Sequence, residues 1–406
     1  MRPGSSRSGV IPEPTVTVRM RENENRVPAI PPETGGTMVL RALSPSRWME
    51  YCFLDALPQG TTPSPVADLP EPVARAFRAA VDEAARHVGA TAPNPPVGCA
   101  LLDRSGTILA VGGHHRAGTP HAEIQAINQC RERGLLDRAH TAVVTLEPCN
   151  HTGRTGPCSQ ALRATPVREV WIGVRDPNPH VEGGGADYLR QQGCTVHVLQ
   201  PTGAQAAMAA MCHSLLAPFA HFMRTGQPWI TVKQALDATG SMVPPAGRTT
   251  FTSDASLDIA HRLRRATDAV ITAGGTIRAD RPALNVRRVT DHPGRAPRVL
   301  AICTRSGEVD DAYLLAARSR GFDVRICTDI AALPDMLGQA GVTWAMVEAG
   351  PGLLAEIRKR DLWHDWLTIT AGHGGVDHLD VRVRSGDVSP LRLFPEFAPQ
   401  TPAMKE

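Results

Sequence analysis

Three short pieces of sequence constrain this 406-residue chain more than any other feature: His121-Ala122-Glu123, Pro148-Cys149 and Cys158. They can act together only if the fold brings two helix starts to the end of one strand. His121 and Glu123 follow Pro120 at the expected start of a helix, so one turn presents an imidazole and a carboxylate to the same cavity. Cys149 follows the apolar run Thr141 to Leu146, which reads as a buried strand. Cys158 opens the next helix, where terminal N–H groups favour the thiolate that a metal needs. One His and two Cys make three protein ligands, and a catalytic zinc keeps its fourth tetrahedral position for a water it acidifies. Glu123 is then free to move that water's protons. A closed zinc staple would need a fourth ligand, for which His114, His115 and His151 are the nearby candidates.

Hydrophobic periodicity around these residues is that of an α/β protein. A helix is expected from Pro70, then a hairpin from Val97 to Val111 turning at Asp103 to Gly106. Further strands are expected at Val167 to Val174 and Cys194 to Val198, with helices between. Gly226-Gln227-Pro228 opens a second alternating series with strands at Trp229–Gln234, Ala269–Thr272, Arg298–Cys303, Asp323–Cys327 and Thr343–Glu348, and a helix at Asp254–Arg265. Residues 1–67, rich in Pro, Ser, Thr and Arg, read as a mostly disordered extension. The expected units are therefore 1–67, a zinc-dependent domain at 68–214, a connector at 215–227 and a second α/β domain at 228–406.

The remaining composition narrows the class. Lys plus Arg total 43 and Asp plus Glu 40, so no basic excess or stripe advertises nucleic acid, and interleaved aromatics are lacking. No run of eighteen apolar residues suggests a membrane span, and no secretory signal is evident. Nine cysteines without an even framework fit a reducing compartment, so a cytoplasmic protein is expected, with Cys52, Cys99, Cys130, Cys194, Cys212, Cys303 and Cys327 as small buried hydrophobes.

Pro93-Asn94-Pro95-Pro96-Val97-Gly98-Cys99, His114-His115-Arg116-Ala117-Gly118-Thr119-Pro120-His121-Ala122-Glu123, Thr145 to Cys158 and Asp176-Pro177-Asn178-Pro179 resemble the deaminase signatures of the bifunctional riboflavin-biosynthesis deaminase/reductase family. The resemblance covers roughly residues 70 to 350. It implies a cytidine-deaminase-like α/β/α layered domain followed by a dihydrofolate-reductase-like α/β domain. It also implies Zn2+ and NADPH as cofactors, and a homo-oligomer. The implied reaction removes the 2-amino group of a 2,5-diamino-6-ribosylamino-pyrimidinone 5'-phosphate and then reduces the ribose to a ribityl chain. Asn94 and His114 match base- and ribose-contacting positions, and Arg154 and Thr155 match the phosphate-holding loop. In the second half, Lys233, Gly274, Gly275, Thr276, Asp280, Asn285, Arg287, Glu348 and Gly350 match the substrate- and cofactor-binding segments.

The second half also departs from that pattern. Where the family has Lys-x-x-x-Ser-Leu-Asp-Gly, this chain has Lys233 followed by Asp237-Ala238-Thr239-Gly240, so a carboxylate has moved. The family's Ser-Lys-Trp-Ile-Thr run appears as Thr249-Thr250-Phe251-Thr252-Ser253. Only 55 residues follow Pro351, with a His-, Gly- and Asp-rich stretch from Gly372 to Asp380. These departures imply an alternative: a deaminase whose reductase half is impaired or repurposed, feeding a flavin-like secondary metabolite. A non-catalytic binding protein on the same scaffold is the reading from another class.

Overall fold

The computed structural model describes residues 17–21, 68–151, 156–178, 184–244, 250–372, 375–384, 388–394 and 396. Within the expected N-terminal extension, Thr17–Arg21 forms a strand, β1, which pairs in parallel with a strand far along the chain. Helix α1 (Glu71–Ala85) follows Pro70 and buries Val73, Phe77, Ala80, Val81 and Ala84, the face its spacing predicts. Strands β2 (Gly98–Leu102) and β3 (Ile108–Gly113) form the hairpin. The Asp103 carboxylate accepts the Ser105 and Thr107 backbone N–H groups at its turn.

Next come α2 (Ala122–Glu132), β4 (Thr141–Leu146), α3 (Cys158–Arg163), β5 (Glu169–Val174), α4 (Gly184–Gln191) and β6 (Thr195–Val198). The five strands order as β3-β2-β4-β5-β6; β2 is antiparallel to both neighbours, and β4, β5 and β6 run parallel. β4 is buried at every position because helices cover both faces, which is why it reads as an unbroken apolar run. Val143 belongs to the same apolar cluster as Phe77 of α1, while Val144 belongs to the cluster that holds Ala126 of α2, Leu162 of α3 and Leu189 of α4. The layering is the expected α/β/α. Close approach of α2 to the sheet depends on Gly112, where a Cβ would stand 2.4 Å from the Ala122 carbonyl oxygen.

Helix α5 runs unbroken from Ala206 to Thr225 and ends at Gly226, whose φ of 70° is the left-handed cap glycine adopts readily. Residues 215–225 of the expected connector are therefore its last turns. By length and composition α5 could cross a membrane, yet Met208, Cys212, Leu215, Leu216 and Phe219 are buried in the protein core.

The second sheet uses β7 (Trp229–Leu236), β8 (Ala269–Ala273), β9 (Arg298–Cys303), β10 (Phe322–Cys327), β11 (Trp344–Val347), β12 (Asp365–Thr370) and β13 (His378–Val383). Its helices are α6 (Asp254–Ala266), α7 (Gly274–Asp280), α8 (Asp311–Ser319), α9 (Leu333–Gln339) and α10 (Pro351–Lys359). The order is β1-β13-β12-β7-β11-β8-β9-β10, parallel throughout except for the antiparallel β12–β13 pair. The five expected strands are β7 to β11. The residues after Pro351, read from sequence as too few to close the domain, supply α10, β12 and β13. β13 alternates buried Leu379 and Val381 with Asp380 and Arg382, a two-residue period obscured by the glycines just before it.

The two halves share one core, in which Leu215 of α5 packs with Trp229 and Trp344. Polar contacts fasten the seam: His292 Nε2 donates to the Val88 carbonyl at 2.8 Å, and Arg265 donates to the Arg86 carbonyl at 2.9 Å. His364, stacked on Trp229 and beside His221, accepts the Ile230 N–H through Nδ1 at 2.9 Å. Burial lowers His221 and His292 to about 4 and His364 to about 3, so all three are neutral in the folded protein. Their unfolded counterparts take up protons below about pH 6.5. Their contribution is thus fully present above that pH and is lost as pH falls toward 3 to 4. Thermal melts from about pH 7.5 to about 4.5 should show a falling midpoint, with a shallower fall in His364→Asn; an unchanged slope would remove His364 from the account.

Candidate active site

His121 is the N-cap residue of α2, but its side chain makes no capping bond, because the ring is turned toward the cysteines. His121 Nδ1 lies 3.7 Å from Cys149 Sγ and 3.3 Å from Cys158 Sγ, and all three ligand atoms lie within 4.8 Å of one another. The Cys158 backbone N–H points at Cys149 Sγ at 3.4 Å. A hydrogen bond from the Cys158 thiol, with His121 and that N–H, lowers Cys149, against its burial. The bond to Cys149 and its own burial push Cys158 up. A soft, partly ionised set of two sulfurs and one nitrogen at this separation fits zinc.

Glu123 stands on the first turn of α2 and is 3% exposed. Burial lifts its carboxyl to about 7; the charge of Cys149 adds to the rise and its own backbone N–H opposes it. His114 lies beside His121, their rings edge to face at 5.4 Å. Burial lowers it to about 4, so it is neutral: Nδ1 donates to the Pro120 carbonyl at 3.2 Å and Nε2 accepts from Asn94 Nδ2 at 3.3 Å. The fold thus gathers Asn94, His114, His121, Glu123, Cys149 and Cys158. Arg154 and Thr155 lie outside the described residues.

What holds the cysteine loop escaped the sequence reading. Buried Glu147, two residues before Cys149, accepts the Ala186 N–H of α4 at 2.9 Å and the Asp176 N–H at 3.4 Å. α4 sits so close that a Cβ on Gly185 would stand 1.8 Å from the Pro148 carbonyl oxygen. The signal was available in Leu146-Glu147-Pro148-Cys149: a carboxylate at the end of a buried strand needs donors.

In the second half, Glu348 follows β11 and its carboxylate faces Lys233 Nζ of β7 at 3.7 Å. Arg264 of α6 grips Glu348 through Nε and through Nη2 at 2.8 Å. Burial alone would raise Glu348, but Arg264 and Lys233 hold it at about 2. Arg264 Nη1 also donates to the Asn285 carbonyl at 3.2 Å, and His261 Nδ1 accepts the Arg287 N–H at 3.0 Å. Arg264 and His261 were not singled out from sequence, although buried charged residues on an amphipathic helix are a usable signal. Gly350 N donates to Thr276 Oγ1 at 3.0 Å, joining the ends of the adjacent parallel strands β8 and β11. Beyond its chain neighbours and its own helix, nothing lies within 4 Å of where a Cβ would stand on Gly275 or Gly352, the second residues of α7 and α10, so the backbone is open at both helix starts. Small residues at the carboxyl ends of parallel strands fit a dinucleotide. Asp280 is exposed, and among the described residues nothing joins it to this cluster. The displaced Asp237 caps the turn after β7, accepting from Thr239 N, Thr239 Oγ1 and Ser241 N.

Residues 71–174 match the cytidine and deoxycytidylate deaminase zinc-binding region, and residues 228–371 match the RibD C-terminal domain. The riboflavin biosynthesis protein RibD of Actinobacillus pleuropneumoniae is 33% identical over 302 residues, 68% of this chain and 77% of that protein. The chain belongs to the RibD family. Acinetobacter baumannii RibD superposes with a TM-score of 0.63 at 26% identity, covering 82% of this chain and 92% of that one. A diaminohydroxyphosphoribosylaminopyrimidine deaminase/5-amino-6-(5-phosphoribosylamino)uracil reductase from Thermotoga maritima gives 0.63 at 25% identity, covering 74% and 86%. In RibD terms, the zinc triad belongs to the deaminase half and the Glu348 cluster to the reductase half.

Gly185→Ala should disturb the RibD deaminase half without touching a ligand. Displacement of the Pro148 carbonyl shifts Cys149, so zinc affinity should fall roughly 10-fold or more. A chelator competition giving the wild-type constant would show that α4 does not set the cysteine loop.

Proposed function

We propose that this chain removes the 2-amino group of a 2,5-diamino-6-ribosylamino-pyrimidinone 5'-phosphate in its first half, and reduces the ribose of the product to a ribityl chain in its second. The observation that carries this is the compact His121, Cys149 and Cys158 set beside buried Glu123, in a chain with a RibD reductase half. When bound, zinc supplies the Lewis acidity that makes water a nucleophile near neutral pH. Glu123, poised near neutrality by burial, takes a proton from the attacking water on its carboxylate and returns it to the departing amine. Neutral His114 and the Asn94 amide orient the base and ribose from the pocket wall. Arg154 and Thr155 bind the 5'-phosphate in this reading.

NADPH supplies the reducing equivalents for the second step. Lys233 and the Arg264-clamped Glu348 hold the substrate sugar, with Asn285 and Arg287 beside them. The backbone at Gly274, Gly275, Thr276 and Gly350 receives the dinucleotide. The alternative of an impaired reductase rested on the displaced carboxylate and the short tail. Asp237 has a turn-capping role and β12 and β13 complete the sheet, so neither departure favours it. The eight described cysteines are free thiols, which fits our placement of the protein in the reducing cytoplasm; Cys52 lies outside the described residues.

Incubation of purified protein with the diaminopyrimidinone substrate should release ammonia without NADPH and oxidise NADPH when it is added. Ammonia release with no NADPH oxidation would overturn the second half of the proposal. Glu123→Gln should retain zinc while deamination falls roughly 100-fold or more; near-wild-type turnover would remove Glu123 from its role. Arg264→Lys keeps the charge but loses the two-point grip on Glu348. Reduction should fall about tenfold with deamination unchanged, and equal loss of both would point to misfolding instead.

A further inference from the structure

One face of α1 is accounted for by the core, but its rim carries a group of side chains that neither reaction uses. Glu83 and His87 stand one helical turn apart at the end of α1, and His115, just past β3, closes over them. Glu83 Oε1 lies 3.2 Å from His87 Nε2 and 3.8 Å from His115 Nε2. The two rings face each other with centroids 4.4 Å apart and a 34° tilt. The three ligand atoms all fall within 4.8 Å of one another, the compactness of the catalytic triad. Side-chain exposures of 20% for Glu83, 22% for His87 and 44% for His115 make the cluster sheltered yet reachable from solvent.

The local charge is compatible with a cation. Arg86 occupies the other carboxylate oxygen of Glu83, at 2.9 Å, and leaves Oε1 to the imidazoles. Burial lowers His87, His115 and Arg265 add to the fall and Glu83 opposes it, which keeps a ring lone pair available. Glu83 supplies the negative charge against Arg86 and Arg265. Two facing imidazole nitrogens and one carboxylate oxygen, brought together from a helix end and a loop, are a donor set that suits a divalent transition metal.

We propose that Glu83, His87 and His115 form a second binding site for a divalent transition metal of the zinc, cobalt or nickel kind. It has two imidazole nitrogens, one carboxylate oxygen and no thiolate. An ion here ties α1 to the 114–119 segment. That segment carries His114, whose ring contacts Asn94 and the Pro120 carbonyl beside the deaminase centre. The ion would brace the pocket wall against the helix without entering the reaction, and its binding does not depend on the substrate assignment.

The absence of sulfur allows the two sites to be told apart. Full-length protein is stripped with chelator, reloaded with Co2+ and freed of excess by gel filtration. The thiolate-to-cobalt charge-transfer band reports the Cys149/Cys158 site, and total cobalt reports both. In the wild type, total cobalt should exceed the band-reporting fraction by one equivalent per chain. His87→Ala and, separately, His115→Ala should lose that extra equivalent while keeping the charge-transfer band and the far-ultraviolet circular dichroism. Total cobalt equal to the band-reporting fraction in the wild type would overturn the proposal. So would an extra equivalent that survives in both variants, since the ion would then be bound elsewhere on the surface.

Discussion

The deaminase centre depends on the carboxyl end of β4 being held against the starts of two helices. Cys149 lies just beyond β4, His121 is the N-cap residue of α2 and Cys158 opens α3, so the ligand set exists only while those three termini converge. Two features enforce the convergence. α2 packs on the hairpin at Gly112, where any side chain would collide with its backbone, and α4 packs under the cysteine loop at Gly185. Glu147 completes the arrangement by taking N–H groups from α4 and from the Asp176 turn. The site is therefore a property of the sheet's helical cover as much as of the ligand residues.

Much of this was legible in the sequence. The grouping of His121, Cys149 and Cys158, the place of Glu123 on the first turn of α2 and the strand that ends beside Cys149 all follow from short-range patterns that elementary chemistry constrains tightly. What escaped is what depends on contacts distant in sequence. Glu147 looked like a passive neighbour because its donors, Asp176 N and Ala186 N, lie 29 and 39 residues away. Nor does a helix start at Cys158 reveal that its thiol and that of Cys149 act on each other through a shared hydrogen bond. Residues 17–21 escaped too, since a short strand at the edge of a sheet has its partner at the opposite end of the chain.

The second half illustrates the same limit. Asp237 looked like the family's carboxylate moved two places, but three donors from its own turn engage it. In the Thr250–Ser253 stretch, Ser253 caps α6 and both its N–H and hydroxyl bind Asp377 at 2.8 Å. Asp377 belongs to the His-, Gly- and Asp-rich stretch that had matched nothing. Two apparent departures are thus halves of one structural contact, and neither touches Glu348 or Lys233. A sequence motif reports which groups are present; only the fold assigns their hydrogen bonds.

The two centres also show how one residue type is set to opposite tasks by its neighbours. Glu123 and Glu348 are both withdrawn from solvent, and burial alone would raise both carboxyls. Around Glu123 burial dominates, Cys149 adds to the rise, and the residue's own N–H and His121 oppose it, so the carboxyl comes to about 7, where a proton can be taken up and given back. Beside Glu348 stand Arg264 in a two-point grip and Lys233, so the carboxyl is held at about 2 and remains an anion at any physiological pH. A group that must carry protons needs near-equal populations of its two forms, whereas a group that only accepts hydrogen bonds is better a fixed anion. The surroundings of these two glutamates therefore suit them to different tasks, although one apolar core joins the two halves.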